Sequence, residues 1–176
     1  MMKKCHTLSI SSARIWLGVD INAQKMCLFE NRKLVQRYSV STSRKLPSCI
    51  ENSLGTPWGL HSIEKKIGEG EKEGMVFHSR IPTGKCFFEY NEEYNKQNLI
   101  TSRILRLRGV EKKLNAGGNC DSWNRYIYIH GTNHEGEIGI PSSSGCIQLR
   151  NREILELFDL VEEGSLVLIE RELINK

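Results

Sequence analysis

Short runs of strand-forming residues, each cut off by glycine, proline or asparagine, recur along this chain and leave room for little else. They are Arg14–Val19, Lys25–Glu30, Leu34–Ser41, Leu60–Ile67, Met75–Arg80, Ile100–Leu107, Tyr126–His130 and Ser165–Ile169. Asn22-Ala23 and Asn31-Arg32 separate the first three, Gly55-Thr56-Pro57-Trp58-Gly59 precedes the fourth, and Ile81-Pro82-Thr83-Gly84 reads as a turn after the fifth. Gly68–Gly74 and Asn115–Asn119 read as glycine-bearing loops, Lys45–Leu54 as irregular, and Tyr90–Asn98 as a loop or a short exposed helix. Only Asn151–Phe158 has a helical period: Asn151 can cap it, Glu153 falls in its first turn, and Ile154, Leu155, Leu157 and Phe158 form its apolar face. Many short strands and one helix predict a mainly β fold, a β-sandwich or open barrel of mixed strands with a short helix after Cys146.

At 176 residues the chain suits one domain with a sizeable core, expected over residues 14–171 behind a tail of residues 1–13. Its net charge of +4, drawn partly from Met1–Lys4 and Arg103–Arg108, permits an acidic partner without demanding one. No nucleic-acid-binding signature accompanies that charge, and no apolar run is long enough to span a membrane. Lys3, Lys4 and Ile15–Val19 imitate parts of a signal peptide. Arg14 interrupts the apolar run, however, and no cleavage site of small residues follows. The six cysteines form no Cys-x-x-Cys pair and no zinc spacing, so free thiols in a reducing compartment are expected. The expected address is cytoplasmic, with the periplasm as the alternative.

The chemistry concentrates in one segment. His130-Gly131-Thr132 closes a strand, and Cys146 follows sixteen positions later at the end of Pro141-Ser142-Ser143-Ser144-Gly145. A thiol needs a base to become a nucleophile, and acyl transfer needs free backbone N–H groups facing an oxyanion. His130 can serve as that base and form an ion pair with the sulfur. Gly145 leaves the approach open, and the Ser144–Cys146 amides can hold the oxyanion. Cys5, Cys27, Cys49, Cys86 and Cys120 read as inert fillers. His61 and His78 read as packed or solvated, and His134 as an exposed loop residue that could line the pocket. Gly117–Asp121 reads as either an active-site rim or a linker.

These residues resemble the YkuD (ErfK/YbiS-like) L,D-transpeptidase catalytic domain over about Ile15 to Glu170. The resemblance rests on His130-Gly131-Thr132-Asn133, Ile138-Gly139-Ile140-Pro141 and Ser143-Ser144-Gly145-Cys146-Ile147-Gln148-Leu149. Ser39–Thr42, Thr56-Pro57-Trp58-Gly59-Leu60-His61-Ser62-Ile63 and the run from Asn151 to Gly164 support it. It implies Cys146 as nucleophile, His130 as base, and a carbonyl near Gly131 orienting the imidazole. Ser143, Thr132 and Gln148 are the implied substrate contacts. Two positions depart from the family's habit: Ser144 stands where histidine is common, and Gln148 where arginine or asparagine is. Arg103, Arg106 and Arg108 read as one solvated strand face, although a family segment similar to Thr101–Leu105 makes Arg103 a candidate for binding substrate carboxylates or pinning a loop.

The implied substrate is a peptidoglycan stem peptide. Cleavage falls between the position-three diamino acid and D-alanine, through a thioester, with no metal or organic cofactor. Hydrolysis is the expected outcome, with cross-linking or D-amino-acid exchange as the alternative. A non-catalytic peptidoglycan-binding module is a further alternative. An unrelated cysteine peptidase would need its cysteine on a helix, which the Pro/Ser/Gly run opposes.

Overall fold

The computed structural model describes residues 14–173. The expected tail, with Lys3, Lys4 and Cys5, lies outside the described residues. Ten strands form one sheet: β1 (Ile15–Asp20), β2 (Lys25–Glu30), β3 (Lys33–Ser39), β4 (Gly59–Ile67), β5 (Met75–His78), β6 (Ile81–Cys86), β7 (Ile100–Gly109), β8 (Tyr128–Gly131), β9 (Ile147–Leu149) and β10 (Leu166–Glu170). Among the described residues two α-helical segments accompany it, α1 (Glu92–Asn95) and α2 (Asn151–Leu160). The order is β3-β2-β1-β10-β4-β7-β5-β6, with β8 on β7 and β9 on β8. The sheet is mixed because β1–β10 and β8–β9 run parallel while the other pairs are antiparallel. The fold is mainly β, as the sequence predicts.

Two strands went unforeseen. Pro82 and Gly84 mimic a turn, but they lie within β6, which ends the strand order and tolerates proline at its edge. The turn falls earlier, at Ser79-Arg80, both with positive φ. β9 has only three residues, too few to show an alternation in sequence. It exists because β8 offers a partner.

The main core lies between the sheet and α2. Leu105, Leu107, Ile129, Ile147 and Leu149 are fully buried there with Ile154 and Leu157 of the helix. Fully burying one such side chain is worth about 1.5–3 kcal/mol. At the helix start Arg150, not Asn151, has the extended cap conformation. Asn151 instead sits one residue inside and turns into the protein. Its Oδ1 accepts from the Thr101 and Ser102 hydroxyls at 2.6 Å each. Its Nδ2 donates to the Thr132 carbonyl at 2.9 Å and to Glu135 at 2.8 Å. At the other end, Lys66 Nζ donates to the Phe158 and Val161 carbonyls at 2.6 and 2.7 Å. A cation there meets the negative end of the helix dipole.

Asn151→Ala strands two hydroxyls and a carbonyl in the interior. We expect a loss of about 2–4 kcal/mol in urea unfolding. A loss below about 0.5 kcal/mol, the scale of a surface substitution, would show that the network does not hold α2 in place.

Candidate active site

Strand alternation decides what faces what in β8 and β9. The parallel register sets Ile129 opposite Ile147, His130 opposite Gln148 and Gly131 opposite Leu149. Ile129, Ile147 and Leu149 point into the α2 core. Their neighbours Tyr128, His130 and Gln148 therefore point to the other face. Cys146, one residue before β9, packs there against the cluster of Met75, Phe77, Ile104 and Tyr128. Sulfur and imidazole thus share a face as diagonal neighbours across two adjacent strands.

His130 is 3% exposed. Its Nδ1–H donates to the Gly131 carbonyl at 2.6 Å, which fixes the tautomer because a carbonyl only accepts. Nε2 is left with its lone pair. Burial lowers the imidazole pKa to about 4, partly opposed by that hydrogen bond. Burial also pushes the Cys146 thiol up to about 11, while the Tyr128 amide and the Arg125 guanidinium pull it down. Both groups are therefore neutral at pH 7, which differs from the expected ion pair. Desolvation disfavours both charged forms at once. Cys146 itself is half-buried, and the thiol rests 3.6 Å from the Tyr126 carbonyl.

The turn before the cysteine is held from within. Ser143 Oγ donates to the Cys146 carbonyl at 2.6 Å and accepts from the Gly145 amide at 3.2 Å. Gly145 has φ 126°, a conformation that L side chains avoid, and a Cβ there would come within 3.5 Å of the Gly55 carbonyl. Ser143 is thus a buried brace, and the Gly145 N–H is engaged. The internal hydrogen bonds of this turn do not consume the Ser144 and Cys146 amides, and Ser144 is exposed.

The other sequence-predicted contacts are internal. Gln148 is 2% exposed, donating to Asn98 Oδ1 at 2.6 Å and accepting from Ser142 Oγ at 3.0 Å. Thr132 is buried and accepts from the His134 amide at 3.1 Å. Arg103 is not brought to the cysteine. It lies beside Phe158 of α2, with its guanidinium 5.4 Å from the ring centre, and donates to the Glu71 carbonyl at 2.8 Å. It therefore pins the glycine-bearing loop. The expected single arginine face fails on parity: residues 104, 106 and 108 share one face, and 103 falls on the other.

His61 is buried against Ser122 Oγ at 2.9 Å, His78 is exposed, and half-buried His134 meets the Asn95 carbonyl at 2.8 Å. Gly117–Asp121 contains a short helical turn with Cys120 buried, and Asn119 accepts from the Glu51 amide at 2.7 Å. One residue escaped sequence reasoning. Arg125 clamps the Ser48 and Gly55 carbonyls at 3.0 and 2.7 Å, bracing the segment behind Gly145. An isolated arginine after a turn carries no signal of that role. Among the described residues no cluster of three His, Cys, Asp or Glu side chains could hold a metal, and no helix is long and apolar enough to cross a membrane.

A histidine on one strand of a mixed sheet and a cysteine just before the strand parallel to it, approached through a glycine turn, define a class of catalytic domain. The chain belongs to the YkuD family, the L,D-transpeptidase catalytic domain, whose family pattern it matches over residues 14–169. It is 33% identical over 67 residues to "Putative L,D-transpeptidase YkuD" of Bacillus subtilis, covering 35% of this chain and 41% of that protein. It is 52% identical over 46 residues to a protein of Fuscovulum blasticum named "Putative L,D-transpeptidase in ATP synthase subunits region ORF 5", covering 26% and 24%. The matched stretches thus span less than half of these relatives. The fold is similar to the L,D-transpeptidase from Mycobacterium smegmatis, at TM-score 0.53 and 18% identity, covering 92% of this chain and 60% of that one. It is also similar to an L,D-transpeptidase from Xylanimonas cellulosilytica, at TM-score 0.54 and 18% identity, covering 91% and 62%.

The low imidazole pKa has a consequence for stability. A folded value of about 4 lies below the ordinary 6.5, so His130 favours folding fully above pH 6.5. As pH falls through 4 that contribution, about 3 kcal/mol, is lost because only the unfolded chain binds the proton readily. We expect wild type to lose that much more stability than His130→Gln between pH 7 and pH 4 in chemical unfolding. Parallel losses would rule out a buried neutral imidazole.

Proposed function

We propose that the chain is a cysteine-dependent acyl-transfer enzyme acting on peptidoglycan stem tetrapeptides, with hydrolysis as its outcome. The observation that carries this is the placement of His130 and Cys146 on one face of β8–β9, with Nδ1 spent on the Gly131 carbonyl and Nε2 spare. Nε2 takes the thiol proton as sulfur attacks the carbonyl of the position-three diamino acid. The Ser144 and Cys146 amides receive the oxyanion. The C–N bond to D-alanine breaks, the imidazolium returns its proton to the departing amine, and a thioester remains. Water, deprotonated by the same imidazole, then releases the tripeptide and restores the thiol. Because both groups begin neutral, proton transfer accompanies attack instead of preceding it. Cys146 is only half-buried, which leaves a thioester there within reach of water.

Purified protein incubated with a muropeptide tetrapeptide should give tripeptide and D-alanine. Cys146→Ala should abolish release, and His130→Gln should lower it by about 100-fold or more. Cross-linked dimers or exchanged D-amino acids would instead mark a transpeptidase. Binding without any product would mark a peptidoglycan-binding module.

A further inference from the structure

On the reactive face, one tyrosine's length from the sulfur, two arginines lack an acid. Arg80 Nη1 donates to the Tyr128 hydroxyl at 3.2 Å, while the backbone of the same tyrosine hydrogen-bonds to the Cys146 sulfur. Arg106 lies 3.3 Å from the Trp123 ring centre and donates Nη2 to the Trp123 carbonyl at 2.9 Å. Both guanidinia stand 5.0 Å from the centre of the Tyr126 ring, so they are no farther apart than twice that distance. Among the described residues neither forms an ion pair, whereas nearby Arg108 is matched by Glu64 at 3.1 Å. Arg106 Nε is buried without a hydrogen-bond partner. Like charges held together with a spent donor count of less than their capacity are costly unless an anion joins them.

The backbone is strained to make this arrangement. Ser79 and Arg80 have φ 49° and 71° in the two-residue turn between β5 and β6, where glycine or asparagine is usual. Tyr126, 51% exposed, has φ 55°. Left-handed non-glycine residues of this kind gather at ligand-holding sites. Arg80 sits against the Tyr126 ring, and Ser79 precedes it in the turn.

We propose that Arg80 and Arg106 bind the free carboxylate at the far end of the acyl donor's diamino-acid side chain. The arrangement suits that group by length. The carboxylate of the leaving D-alanine lies only two bonds from the amine that departs, too near the sulfur. The side-chain carboxylate of a diamino diacid lies several methylenes from the scissile carbonyl, as the Arg80 guanidinium lies a tyrosine side chain from the backbone that contacts the thiol. The two planar forks suit a carboxylate, and the aromatic rings keep their charges poorly hydrated. This rests on the stem-peptide reading above and selects donors with an acidic third residue over those bearing an amide there.

The test compares a tetrapeptide carrying the free side-chain carboxylate with its carboxamide. Wild type should favour the acid by about tenfold or more in kcat/KM, mainly through KM. Arg80→Gln and Arg106→Gln should each erase most of that preference by raising KM for the acid. Arg80, at a hairpin tip, keeps the test alive if the Arg106 variant does not fold. Calorimetric titration of both peptides into Cys146→Ala reads the same preference with turnover silent. Failure of either peptide to release D-alanine would overturn the hydrolytic reading alone. Equal affinity for acid and amide, or an unchanged preference in the arginine variants, would overturn the carboxylate site.

Discussion

The parallel pairing of β8 with β9 is the constraint on which the rest depends. Strand alternation gives each of these short elements two faces, and the register fixes which residues share one. Ile129, Ile147 and Leu149 are drawn into the core beneath α2, and that burial holds the pair in place. The same step turns His130 and Cys146 outward together. A slip of one residue between the two strands would put His130 and Cys146 on opposite faces and pull an isoleucine out of the α2 core, so the hydrophobic effect that folds the domain also protects the geometry of the site.

The site is built from neutral groups. Burial keeps imidazole and thiol uncharged, and the protein spends its fixed charges around them instead of on them. Arg125 braces the segment behind Gly145, Lys66 closes the end of α2, and Arg103 ties down a loop on the opposite face. Arg80 and Arg106 stand apart from these because each makes a hydrogen bond, to the Tyr128 hydroxyl and the Trp123 carbonyl, but no carboxylate neutralises either charge. Asn151 meets four partners, whereas Arg106 Nε is buried with none and neither guanidinium has a carboxylate.

Most of the mainly β architecture was legible because strands and turns leave local marks. Asn31-Arg32 and the Asn151–Leu160 helix fall where turn chemistry and helical periodicity put them. β6 was hidden by Pro82 and Gly84, whose local meaning is a turn and whose tertiary setting is a sheet edge. β9 was hidden because three residues carry no period. At the site, the His130-Gly131 and Gly145-Cys146 motifs were visible. The internal roles of Ser143, Thr132 and Gln148 were not, since a hydroxyl or amide in a motif does not reveal whether it faces ligand or neighbouring backbone.

The sequence by itself determined the residues able to do chemistry and the short-strand character of the chain, because both follow from side-chain type and local backbone preference. Only the tertiary structure decided that histidine and cysteine share one face, that burial disfavours the charge on each, and that Arg106, not Arg103, lies on that face. Those outcomes depend on strand register and on water exclusion, and both arise from contacts between segments far apart along the chain.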